Sequence, residues 1–132
     1  TINLTAVNVS NTQYVNGLFS GCTKLGTMSG FSGTAYVNSF DNMFLDCKVL
    51  KTIDISALNA VNNATMTNAF ANVPASSLTK IKTPTYWFFA SNSGFAPADT
   101  TKWKHAKAGT VTKAEFMNLV TDPVYSGEWT RA

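Results

Sequence analysis

Three stretches of this chain, residues 15–25, 40–50 and 66–73, can be laid over one another without gaps in their apolar positions. Phe19, Phe44 and Phe70 mark the register, 25 and 26 residues apart. Recurrence at that period restricts the fold more than any other feature, because a unit of about 25 residues cannot bury its own apolar face and must stack on a neighbour. Each copy places apolar side chains at i, i+3 and i+4 (Val15, Leu18, Phe19; Phe40, Met43, Phe44; Met66, Ala69, Phe70). That spacing predicts one face of a short helix.

An extended segment follows each copy. In residues 50–55, Ile53 and Ile55 fall on one side and Asp54 on the other, as strand alternation requires. Leu25, Met28 and Gly30 occupy the same stations one repeat earlier, Leu78, Ile81 and Thr83 one repeat later, and Ile2 with Leu4 suggests a further strand before them. Strands pairing edge to edge with helical turns packed behind would give interior rows of Phe19, Cys22, Leu25, Phe44, Cys47, Leu50, Ile53, Ile55, Phe70 and Ile81.

Phe44-x-x-Cys47-x-x-Leu50-x-x-Ile53-x-Ile55 and Phe19-x-x-Cys22-x-x-Leu25-x-x-Met28 resemble the BspA-type leucine-rich repeats of bacterial surface proteins, including the related 26-residue surface-protein repeats. The resemblance covers residues 1–84 and weakens in the third copy, where Val73 stands at the cysteine station and two extra residues precede Leu78. It implies an α/β repeat fold, a leucine-rich-repeat-like solenoid of about three short helix-plus-strand coils with the strands on a concave wall. It also implies an exported, cell-surface location, a role in adhesion or host interaction, and no catalytic residues.

Residues 85–132 lose the repeat and are expected to form a C-terminal capping region of the same compact unit, covering the apolar end of the last coil. Residues 85–89, Thr-Tyr-Trp-Phe-Phe, would lie across that end. Residues 99–109 suggest a short helix with a polar start and a glycine stop. Thr112-Lys113-Ala114-Glu115 is a capping-box pattern opening a second helix, with Phe116, Leu119 and Val120 inward and a stop before Pro123. A rival use of the aromatic residues is a ligand platform built from Tyr86, Trp87 and Trp103, of the kind carbohydrate binders employ.

Charge narrows the partner. The net charge is +3, but most lysines are scattered, the only cluster is Lys102, Lys104, His105 and Lys107 beside Trp103, and Arg131 is the sole arginine, so the dense basic footprint of a nucleic-acid binder is missing. No apolar run approaches the roughly 18 residues of a membrane-crossing helix, and any export signal is expected outside this sequence. Cys22 and Cys47 sit at one station of neighbouring repeats, which suits either a disulfide or two buried thiols. With one histidine they make a poor zinc site, so neither metal nor cofactor is expected. His105 stands among lysines, far in sequence from either cysteine, so no nucleophile-base pair is apparent.

The expectation is therefore a non-catalytic, monomeric recognition module at the cell surface or secreted, with an extracellular protein or glycan as partner. Its contact residues would be the outward strand positions Thr27, Ser29, Thr52, Asp54, Lys80 and Lys82. The alternative is a structural spacer within a larger surface protein, with no ligand of its own.

Overall fold

The computed structural model describes residues 1–132. Its principal feature is a six-stranded mixed sheet in the order β1, β3, β5, β8, β6, β7. Those strands are β1 (Thr27–Met28), β3 (Thr52–Asp54), β5 (Lys80–Thr83), β6 (Lys102–His105), β7 (Gly109–Thr112) and β8 (Gly127–Arg131). β1, β3 and β5 are parallel, one from each successive repeat, with Met28, Ile53 and Ile81 side by side. Ile2 bridges to Met28 in the same sense. A second sheet pairs β2 (Ala35–Ser39) in parallel with β4 (Leu58–Thr65), with an irregularity after Val37 that leaves extra residues on β4.

The expected solenoid of helix-plus-strand coils is not what forms. The one α-helix is α1 (Lys113–Leu119), outside the repeats, and the parallel strands continue into antiparallel ones instead of ending in a coil. The three segments expected to be helical are chains of four-residue turns. Their N–H groups donate to the third residue back: Leu18 to Val15, Cys22 to Phe19, Met43 to Phe40, Cys47 to Phe44, Ala69 to Met66 and Val73 to Phe70. The third residue of each turn has a positive φ: Gly17, Gly21, Asn42, Asp46, Asn68 and Asn72, at 56° to 76°. This is the φ pattern of type II turns, which favour glycine or asparagine there and which an α-helix cannot contain. A turn repeating every four residues also returns apolar side chains at i, i+3 and i+4, so the apolar spacing alone did not separate it from a helix.

The intervening N–H groups bond to the next repeat. Gly17, Phe19 and Gly21 donate to the carbonyls of Asp41, Met43 and Leu45 at 2.8 Å each, and Asn42, Phe44 and Asp46 donate to those of Thr67, Ala69 and Ala71 at 2.8 to 3.0 Å. These bonds bring the phenylalanines into a stack: Phe19 to Phe44 at 5.6 Å between centroids, Phe44 to Phe70 at 5.4 Å, with rings within 23° of parallel. Of the expected interior residues, Phe19, Phe44, Cys47, Leu50, Ile53, Ile55, Phe70 and Ile81 are buried, while Cys22 and Leu25 are half-buried. Leu18, expected on the inward face, is 47% exposed.

The C-terminal third joins the same hydrophobic cluster. Trp87 meets Phe40 edge-on at 5.0 Å, Phe89 and Phe95 both meet Phe70, and the Trp103 ring stacks on Phe116 at 4.4 Å. Trp129, fully buried, faces Ile81 across β5 and β8 and donates its indole N–H to the Tyr125 carbonyl. The helix expected over residues 99–109 is instead an antiparallel hairpin of β6 and β7. The alternation of Lys102, Trp103, Lys104 and His105, exposed then buried, is the period of a strand. The capping box does form: Thr112 Oγ1 accepts from the Glu115 N–H, and Glu115 accepts from the Thr112 N–H, which also lowers the Glu115 pKa.

Two pairs of substitutions check this account by chemical denaturation. Phe44→Ala removes the middle ring of the stack and is expected to cost about 3 to 5 kcal/mol, whereas Lys51→Ala on the surface changes little. Asn42→Gly is expected to be tolerated, while Asn42→Val forces a β-branched residue to a φ of 59° and should cost about 1 to 3 kcal/mol. A helix at this position would give the reverse order, because glycine disfavours helices.

Candidate functional site

Strand alternation divides the six-stranded sheet into two faces. Met28, Ile53, Ile81, Trp129, Trp103 and Val111 point into the core. The other face carries a continuous row: Thr27 is opposite Thr52, Thr52 opposite Lys80, Lys80 opposite Thr130, Thr130 opposite Lys104, and Lys104 opposite Thr110. At about 4.8 Å per strand the row is about 24 Å long. A second row sets Asp54, Lys82 and Glu128 side by side, and Lys102 lies opposite Thr112 at the far end.

The six residues expected to make contact thus lie on the solvent side of a mixed sheet, not on the concave wall of a solenoid. Thr27, Thr52, Lys80 and Lys82 present their side chains there. Ser29 and Asp54 are committed elsewhere. The Ser29 hydroxyl accepts from the Leu4 N–H at 2.7 Å, holding the first repeat to the second. Asp54 Oδ1 accepts from the Ser56 N–H and hydroxyl, forming a local turn, and its carboxylate lies so close to Gly30 that a β-carbon there would meet it at 2.7 Å. Both are structural residues.

Lys102, Lys104, Thr110, Glu128 and Thr130 also belong to this face. They come from the region without repeats, so no periodicity points to them; the alternation in residues 102–105 was the available signal. Among the acidic residues of the face, Asp54 is engaged with Ser56, and Glu128 approaches Lys80 at 3.8 Å across a gap open to solvent. Lys82, Lys102 and Lys104 are exposed and make no ion pair. The face is rich in hydroxyls and cationic.

The chemistry-bearing side chains lie apart from it. His105 is buried, with the Lys107 N–H donating to Nδ1 at 3.1 Å and Nε2 standing 3.0 Å from the Ser126 carbonyl. That pair of partners suits the neutral ring with its proton on Nε2, leaving neither nitrogen for a substrate. Cys22 and Cys47 are both free thiols. Cys47 donates its S–H to the Phe19 carbonyl at 3.2 Å, and burial, reinforced by neighbouring Cys22, pushes its pKa up to about 11. No group of three or more histidine, cysteine or acidic side chains is positioned to hold a metal ion, and no helix is long and apolar enough to cross a membrane. Of the rival aromatic platform, Trp87 and Trp103 are buried, and only Tyr86 is open to solvent.

The chain matches no family model, no curated protein and no solved structure.

The Cys47 environment gives a pH test. An unfolded chain ionises this thiol near the ordinary value of 9.0, whereas the folded one holds it neutral to about 11. The unfolded state therefore binds fewer protons between those values, and stability should fall as pH rises from 9 to 11. Denaturation curves of the native protein and of Cys47→Ala should differ in their slope against pH over that window. Parallel slopes would count against a neutral buried thiol.

Proposed function

We propose that this chain is a non-catalytic recognition module that docks the outer face of its six-stranded sheet on an extracellular protein or glycan bearing anionic groups. The observation that carries the reading is the row Thr27, Thr52, Lys80, Thr130, Lys104, Thr110, which crosses all six strands and joins repeat-derived strands to C-terminal ones. A rigid sheet holds the hydroxyl donors and ammonium groups at fixed spacing, so little side-chain ordering beyond the lysines is needed on binding. Unpaired Lys82, Lys102 and Lys104 supply an attractive field for an acidic surface and speed its approach.

The rest of the molecule supports a binding role over a chemical one. His105 spends both ring nitrogens on backbone groups, and Cys47 is buried and protonated. The resemblance of the repeat motif to surface-protein repeats favours a location outside the cell.

The test is a screen of the native protein on glycan and extracellular matrix protein arrays, followed by charge reversal. Lys82→Glu combined with Lys104→Glu should weaken binding to the partner found by about tenfold or more, equivalent to about 1.4 kcal/mol, and flatten its dependence on salt. The fold should survive because both side chains are exposed, with a small fall in melting temperature where the reversal at Lys82 sets a like charge between Asp54 and Glu128. Binding that survives the double reversal at every salt concentration would refute the assignment of this face.

A further inference from the structure

A different surface lies on the smaller sheet. Tyr36 on β2 is directly opposite Asn59 on β4. The next rung is the segment carrying Tyr86, whose N–H donates to Asn59 Oδ1 at 3.0 Å and whose carbonyl accepts from the Ala60 N–H at 2.9 Å. Trp87 turns into the core and Tyr86 away from it. On the other side of Tyr36, Asn8 bridges to Ser32 and the Asn38 N–H donates to the Gln13 carbonyl, which sets Gln13 opposite Val37 and brings Thr12 alongside Tyr36. Thr12 and Tyr36 both line an open groove of about 310 Å³ whose other walls are Ser10, Asn11 and Gln13. Four successive rungs therefore carry Thr12, Tyr36, Asn59 and Tyr86.

Tyr36 is 59% exposed and Tyr86 53%, large aromatic faces left in water, while Asn59 between them is buried, with its carbonyl oxygen used and its amide nitrogen unbonded. Two rungs separate the tyrosines, about 10 Å at ordinary strand spacing, which is about the length of two pyranose rings in an extended chain. The segments that build this face, residues 10–14, 35–39, 58–65 and 85–87, contain no charged side chain. This neutrality contrasts with the lysine-bearing face and selects an uncharged ligand, since neither cation nor anion would find a counter-charge.

We infer that the Thr12, Tyr36, Asn59, Tyr86 column is a binding site for an extended, uncharged glycan chain, separate from the cationic sheet face. Alternate sugar rings stack on Tyr36 and Tyr86, whose flat apolar faces match the C–H side of a pyranose. The Thr12 hydroxyl and the Asn59 amide, with the other hydroxyls and amides of the groove, bond the sugar hydroxyls and set orientation.

The probes are neutral, unbranched hexasaccharides of β-1,4-linked glucose, N-acetylglucosamine and xylose, followed by calorimetry and by backbone amide shifts. At least one should bind, with shifts concentrated at residues 10–14, Tyr36, Asn59 and Tyr86. Tyr36→Ala and Tyr86→Ala should each weaken it by about tenfold or more, whereas Tyr36→Phe and Tyr86→Phe retain it because the ring face survives. The double reversal of Lys82 and Lys104 should leave it unchanged, which separates this site from the cationic face. The inference is overturned if none of the three probes binds at millimolar concentration, or if folded alanine variants bind as the native protein does.

Discussion

The structure depends on one kind of contact, the backbone hydrogen bonds that run from each turn segment to its counterpart one repeat later. Phe19 to Met43 and Phe44 to Ala69 are typical, at 2.8 Å. A buried N–H without a partner is expensive, and a chain of turns satisfies only every second one internally. The remainder must find acceptors in the adjacent repeat, so neighbouring segments are locked in register. That lock stacks Phe44 between Phe19 and Phe70. The apolar contacts contribute the burial, but the direction of stacking comes from the backbone.

The same register makes the surfaces orderly. Once repeats are aligned, any exposed station becomes a line across the molecule, and its chemistry is set by the residues that happen to share it. On the larger sheet the line is threonine and lysine; on the smaller sheet it is asparagine and tyrosine. The charges are segregated accordingly, with Lys80, Lys82, Lys102 and Lys104 on one sheet and no charged residue in either strand of the other. A single chain thus displays one cationic face and one neutral face.

The C-terminal third completes the sheet. Without β8, β5 would expose a row of unpaired backbone groups, an edge prone to pairing with another chain. β8 covers it in antiparallel sense, and β6 and β7 extend the sheet away from the repeats. Trp129 and Trp103 anchor this addition by burying large rings against Ile81 and Phe116. The alternation that places those rings inside necessarily places Glu128, Thr130, Lys102 and Lys104 outside, so packing of the addition and extension of the cationic face have one cause.

The amino-acid sequence alone determined the repeat period, the identity of the stacked phenylalanines, the strand stations of Met28, Ile53 and Ile81, and the capping box at Thr112, because each is a local pattern whose physics is contained in a few neighbouring residues. It did not separate turn from helix in the repeats. The apolar spacing is common to both, and the deciding signal, Gly or Asn at 17, 42 and 68 and Gly, Asp or Asn at 21, 46 and 72, concerns backbone handedness instead of hydrophobicity. Of the six expected contact residues, Thr27, Thr52, Lys80 and Lys82 lie on the outer side of the larger sheet, while Ser29 and Asp54 are occupied by bonds to Leu4 and Ser56. What only the tertiary structure decided is which distant strands share a face. The pairing of Lys80 with Thr130 and of Tyr36 with Asn59 depends on hydrogen bonds between residues 23 to 50 apart, and no local pattern records which edge a later strand will cover.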